Sequence, residues 1–223
     1  MAFLNWSATL TVALGLTACS FVPTAVDLDA DVIVVGDSIL AWHRGTGLSI
    51  PSVVEQQSGL AVSNVSISGA TFLGPRGIPT QYANNDWDWM IVDGGGNDLL
   101  PTCGTLDAER VLDALISQDG QNGAIPAFIS QVAGQGVDVI LLGYYTVSDR
   151  GGSFSDCVSE LDELSARQER FAATIPTVTF VDAGKVVGSG DAAAYAEDMV
   201  HPSPRGAALI GQLITSAIRA NGS

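Results

Sequence analysis

The chain has 223 residues, 47% of them hydrophobic, and a formal net charge of −15 from 24 acidic against 9 basic residues. That length is most simply one domain with chain enough for a substantial core. Lys185 is the single lysine beside eight arginines, which argues against nucleic acid or another partner held through its phosphates, and the acidic excess serves solubility.

Residues 8–18 are small and apolar, too short to span a bilayer comfortably, and end in Leu16-Thr17-Ala18-Cys19. The stretch resembles a bacterial lipoprotein signal. That resemblance implies residues 1–18 as a leader, a lipid-bearing Cys19, and a protein anchored in the bacterial cell envelope, facing the periplasm or on the outer membrane. Met1–Ser7 carries no Lys or Arg, where such signals are normally basic, and a buried amino-terminal helix with Cys19 in the core is the competing reading. Residues 19–30, with Pro23 and small residues alternating with acids, read as a tether, and 31–223 as the domain.

The domain opens on Asp31-Val-Ile-Val-Val-Gly-Asp-Ser38. The continuous Val32–Val35 run predicts a strand buried on both faces, as in parallel sheets, and Gly36 supplies a sharp turn. Residues 41–58 suit a helix interrupted near 45–51, and 61–67 alternate like a second strand closed by Ser68-Gly69-Ala70. A third strand over Trp89–Val92 runs into Gly94-Gly95-Gly96-Asn97-Asp98. Helices over 106–117 and 125–133 lead to a fourth strand at 137–142, as a parallel crossover requires. A long charged helix over 157–174, with Leu161, Leu164 and Ala172 on one broad face, precedes a fifth strand at 177–181. The last helix is the clearest: Ser203 caps it, Pro204 occupies its first turn, and Leu209, Ile210, Leu213, Ile214, Ala217 and Ile218 form an apolar stripe. Strands alternating with helices predict an α/β fold, a three-layer α/β/α sandwich around about five mostly parallel strands. The first turn lacks G-x-G-x-x-G spacing and no G-x-x-x-x-G-K-[ST] occurs, which argues against a nucleotide site.

Ser38 sits where open parallel sheets bind ligands, just past a strand's carboxyl end. By itself Gly36-Asp37-Ser38 is equally a helix-capping turn. His201 stands in Asp198-Met-Val-His201-Pro202, and an acid three residues ahead on a tight loop can reach imidazole Nδ1, leaving Nε2 to take a proton from a serine. His43 is a rival base with no acid at such short loop spacing. Trp42, Trp87 and Trp89 could line a sugar or acyl site, though Trp89 on its strand reads as core.

Four blocks in order, Gly36-Asp37-Ser38, Ser68-Gly69-Ala70, Gly95-Gly96-Asn97-Asp98 and Asp198–Pro202, make the chain resemble the SGNH hydrolases, also called GDSL esterases and lipases, from Asp31 to the end. The resemblance implies a flavodoxin-like sandwich. It also implies Ser38 as nucleophile, His201 as base and Asp198 as its orienting acid, with the Ser38 and Gly69 N–H groups and the Asn97 amide as oxyanion donors. Gly69 can bring its amide close because no side chain stands in the way, while Asp37 and Asp98 brace their turns. The activity expected is a serine esterase working through an acyl-enzyme on small acyl or acetyl esters, with no cofactor and no metal. A lipid esterase, lysophospholipase or thioesterase is the alternative within enzymes, and a non-catalytic glycan- or lipid-binding envelope lipoprotein the alternative of another class. With Cys19 given to lipid, Cys103 and Cys157 remain in an oxidising compartment. Each follows a strand of the same sheet edge, strands that the resembled fold sets side by side, so a disulfide between them is expected.

Overall fold

The computed structural model describes residues 25–222. The expected leader and Cys19 lie outside them. Five strands, β1 (Val32–Val35), β2 (Val62–Asn64), β3 (Trp89–Val92), β4 (Asp138–Gly143) and β5 (Val178–Asp182), form one sheet in the order β2-β1-β3-β4-β5. Every pairing is parallel. This is the flavodoxin-like order, whose switch point lies between β1 and β3.

The expected period-free apolar strands follow from burial on both faces. Ile33, Val35, Met90, Val92, Val139 and Leu141 point into one core layer, beneath α3 (Gly96–Leu99), α4 (Ala108–Leu115), α5 (Ala124–Ala133) and α6 (Val158–Ala172). Their neighbours Val32, Val34, Ile91, Ile140 and Leu142 point into the other, against α1 (Ser38–Ala41), α2 (Ile50–Ser58) and α7 (Pro204–Asn221). In α7 the side chains of Ile210, Ile214 and Ile218 are buried along the stripe, and Ser203 caps the helix by accepting from Gly206 N.

Several boundaries differ from expectation. The interrupted helix is two separate ones: α1 stops at Ala41, and α2 starts afresh under a Ser49 cap with Pro51 in its first turn. The second strand is regular over Val62–Asn64 alone, although Val65 N and Ile67 N still donate to Val34 O and Gly36 O. Leu106 lies outside α4 and is fully exposed. The last residues assigned to the tether belong to the domain, since Val26 and Ala30 pack on the core and Asp27 N donates to Ser63 Oγ. Trp87 and Trp89 are both core residues.

Two cross-links secure α6. The Arg167 side chain, 1% exposed, donates to Glu163, Asp113 and Glu109 at 2.8, 2.8 and 2.6 Å and to Ile116 O, so the guanidinium is fully paired where an unpaired buried charge would cost several kcal/mol. The sulfurs of Cys103 and Cys157, 54 residues apart in sequence, are bonded, which ties the loop after α3 to the start of α6.

Candidate active site

Ser38 is the first residue of α1, immediately beyond β1. At that position a backbone N–H has no acceptor within the helix and is available to a ligand. The turn that delivers it is held from below. Gly36 carries φ +153°, and a Cβ there would lie 1.8 Å from Asp93 Oδ1, so glycine is required by close approach as well as by conformation. Gln81 grips the same residue twice, accepting from Gly36 N at 2.8 Å and donating to Gly36 O at 2.9 Å.

Asp37, which the sequence marks only as a brace, is the centre of a buried network. Its Oδ1 accepts from Ile39 N and caps α1. Its Oδ2 accepts from Tyr144 Oη at 2.6 Å, and Tyr144 Oη in turn accepts from Gly96 N at 3.0 Å. Asp37 N donates to Asp93 Oδ1 at 2.8 Å, while Asp93 Oδ2 is buried with no hydrogen-bond partner among the described residues. Burial raises the pKa of both acids, that of Asp93 far more, because Asp37 adds its charge to an already dry site. Of the two, Asp93 is pushed further toward its protonated form, while the three donors that Asp37 faces favour its carboxylate.

The Asp198–His201 loop meets this turn from α7's side. His201 Nδ1 stands 2.5 Å from Asp198 Oδ2, and Asp198 Oδ1 accepts from the backbone N–H of Val200 and His201. Partial burial would raise the Asp198 pKa, but these bonds outweigh it and hold the carboxyl below its usual range. The imidazole lies flat against Trp42, ring centroids 3.8 Å apart and planes within 5°. His43 does not approach an acid; its Nε2 donates to Pro202 O at 3.1 Å. Ser38 Oγ takes part in no hydrogen bond among the described residues, and catalytic hydrogen bonds commonly tighten only when substrate is bound.

The remaining motif residues gather on the same edge. Gly69 has φ +75° and nothing within 4 Å of a notional Cβ. The left-handed backbone favours glycine there. Asn97 Nδ2 donates to Ala70 O at 3.0 Å and leans toward Asp37 Oδ2 at 3.4 Å. Asp98 accepts from Phe72 N and Leu73 N, bracing the loop that carries Gly69. Beneath Ser38 and Asn97 opens a mostly apolar cavity of about 40 Å³, walled by Tyr144, Tyr145, Phe154, Leu161 and Met199. Among the described residues no group of His, Cys, Asp and Glu could hold a metal ion, and no helix is long and apolar enough to cross a membrane.

The family described as GDSL-like lipase/acylhydrolase matches residues 34–209, a span that includes all four motif blocks. The chain belongs to this family. As a GDSL hydrolase it is an enzyme of ester-bond cleavage. Its fold is similar to that of TesA (19% identity, 85% of this chain and 98% of that one covered, TM-score 0.63). Est24, a carbohydrate acetylesterase from Sinorhizobium meliloti, is equally similar in fold (17% identity, 85% and 98% covered, TM-score 0.63), as is a lipolytic G-D-S-L protein from Veillonella parvula (18% identity, 84% and 97% covered, TM-score 0.62). No curated protein matches the sequence.

Four residues of this GDSL hydrolase's site carry no motif: Gln81, Asp93, Tyr144 and the stacking role of Trp42. Asp93 alone has a local signal in the sequence, an acid that ends an apolar strand just before the glycines.

Proposed function

We propose that this GDSL hydrolase cleaves short-chain carboxylic esters through an acyl-enzyme on Ser38. The observation that carries the reading is the Asp198–His201 pair, at 2.5 Å, on the same sheet edge as a serine that opens on a small cavity. Asp198 accepts a hydrogen bond from Nδ1–H, which fixes the proton there and leaves Nε2 with its lone pair. Ser38 Oγ adds to the ester carbonyl carbon as Nε2 takes its proton. The tetrahedral carbon then expels the alcohol, which receives that proton from His201. Water repeats the sequence on the acyl-serine, again losing a proton to Nε2, and releases the carboxylic acid with Ser38 restored. Ser38 N–H and Gly69 N–H serve the oxyanion, and Asn97 joins them when the long 3.4 Å contact to Asp37 is exchanged for the charged oxygen.

The cavity supports a short acyl chain. A water needs roughly 10 to 15 Å³ of such space, so the 40 Å³ beside Ser38 holds about three water-sized groups, which suits acetyl to butyryl chains. We read Cys19 as the lipid-bearing residue of an envelope protein, in which case Cys19→Ala releases it from membranes.

Turnover of p-nitrophenyl acetate, butyrate and octanoate by the purified protein tests the reading. Ser38→Ala and His201→Ala are expected to abolish hydrolysis with an unchanged far-UV circular dichroism spectrum, and the octanoate to be the poorest substrate. Substantial activity in either folded variant overturns the mechanism, and preference for octanoate overturns the acyl assignment. Failure of the wild type to label with a serine-reactive fluorophosphonate would favour the non-catalytic binding protein instead.

A further inference from the structure

We propose that Trp42 is a positioning residue for His201: its indole is the platform on which the imidazole is aligned and its positive charge stabilised during turnover. The inference rests on the reading of His201 as the base and adds a residue that no motif block contains.

The geometry is direct. Trp42 caps the carboxyl end of α1 and its N–H donates to Ser38 O at 2.8 Å. The platform and the nucleophile therefore belong to one helical turn, and a displacement of either is felt by the other. At 3.8 Å between centroids and 5° between planes, the indole covers one whole face of the imidazole and leaves the ring edge, with Nδ1 on Asp198, undisturbed.

The backbone around the contact is strained to make it. Among the described residues the two non-glycine positions with positive φ are His43 at 61° and Met199 at 58°, one directly after Trp42 and the other two residues before His201. Such conformations persist where surrounding contacts over-determine them, and they gather at functional sites. Here the contacts are visible. His43 Nε2 donates to Pro202 O and Tyr145 Oη donates to Val200 O, so the carbonyls on both sides of His201 are held while Trp42 fixes the ring.

The chemistry gives the platform a second effect. In the tetrahedral intermediate His201 is an imidazolium, and a cation over the face of Trp is attracted by the ring quadrupole. The groups around His201 are Asp198 from its own loop, the Asp37 carboxyl from the turn before α1, the Tyr145 phenol from beyond β4, and His43, which is edge-on to Trp42 and bonded to Pro202 O. Trp42 adds to the effect of the two carboxylates on the charged form without competing for the Nε2 proton.

The chain contains two histidines, so a ¹H–¹³C spectrum of the full domain holds two imidazole Cε1–H signals, assigned with His201→Gln. In the wild type the His201 signal is expected well upfield of its free position through the indole ring current. In Trp42→Leu it should return downfield, with kcat down about 2- to 30-fold and KM within about 2-fold. Trp42→Phe, which keeps an aromatic face, should restore most of both. A wild-type signal without the upfield displacement overturns the platform even if Trp42→Leu fails to fold. So does a His201 signal that stays in place in folded Trp42→Leu, or a loss confined to KM. If His201→Gln or Ser38→Ala retains turnover, what fails is the esterase mechanism beneath the proposal.

Discussion

The two halves of the site are built in opposite ways. The turn that carries Ser38 is fixed from the core: Gly36 is gripped by Gln81 and wedged against Asp93, and Asp37 is bonded to Ile39, Tyr144 and Asp93. The loop that carries His201 is partly exposed, and its regular backbone pairing is the single bridge Tyr195–Pro202. Asp198 and a few backbone bonds shape it from within, and Trp42, His43 and Tyr145 hold it against the rest of the molecule. The proposed nucleophile is thus part of the fold, whereas the proposed base is docked onto it. Changes at the turn should cost stability and rate together, and changes at the loop should cost rate alone.

The largest expected effect lies on the loop. Asp198→Asn removes the carboxylate that fixes the His201 tautomer, and kcat should fall by about 10³- to 10⁴-fold with a melting temperature close to wild type. A large loss of stability instead would show that the loop is as deeply integrated as the turn. Next comes Gly36→Ala at the turn. A Cβ 1.8 Å from Asp93 Oδ1 in an interior that cannot give should cost about 3 kcal/mol or more by urea denaturation. A near-neutral result would break the contrast outright.

Tyr144→Phe should have a middling effect. It deletes a donor to the Asp37 carboxylate and an acceptor for Gly96 N, a loss of about 2 kcal/mol that brings a lowered kcat with it. Wild-type kcat in this variant would detach the network from the site.

The smallest effect is a difference in pH response. Asp93 has a raised pKa in the folded protein, so its contribution is fully present below the ordinary value of about 3.9 and is lost as pH rises through the folded value, with a slope of at most about 1.4 kcal/mol per pH unit. Asp198 has a lowered one and works in reverse, stabilising above about 3.9 and failing as pH falls through its folded value. Asp93→Asn, which keeps the acceptor for Asp37 N, should flatten the alkaline side of the stability profile and leave the acidic side intact. An unchanged alkaline side would mean that Asp93 is not the proton-holding partner.

The same contrast explains what could be read in advance. Asp198 and His201 are three residues apart and their pairing is a local matter, visible as spacing. The apolar runs of β1, β3 and β4 declare strands covered on both faces, and from alternating strands and helices the parallel sheet follows. The supports of the nucleophile turn are different. Gln81 bonds Gly36 across 45 residues, Asp93 bonds Asp37 across 56, and Tyr144 reaches Asp37 across 107. No periodicity or short motif encodes a contact between side chains so distant in the chain. Trp42 falls between these cases: it is four residues from Ser38, but its partner His201 becomes a neighbour only when α7 packs beside α2. The ends of the short elements were equally hidden, because α1 and β2 stop where tertiary contacts, not propensities, take over their hydrogen bonds.

Arg167 illustrates a different economy of design. One guanidinium serves three carboxylates on two helices, an arrangement of hub and spokes. A spoke is replaceable: with Glu109, Asp113 or Glu163 neutralised singly, the other two still hold the cation. The hub is not, because its loss leaves Glu109 and Asp113 without this cation, and Glu163 with Arg170 alone, in a chain already crowded with negative charge. Mutational drift can therefore wander freely over the acids of this face while Arg167 stays put, and the helix that walls the cavity beside Ser38 keeps its place through that wandering.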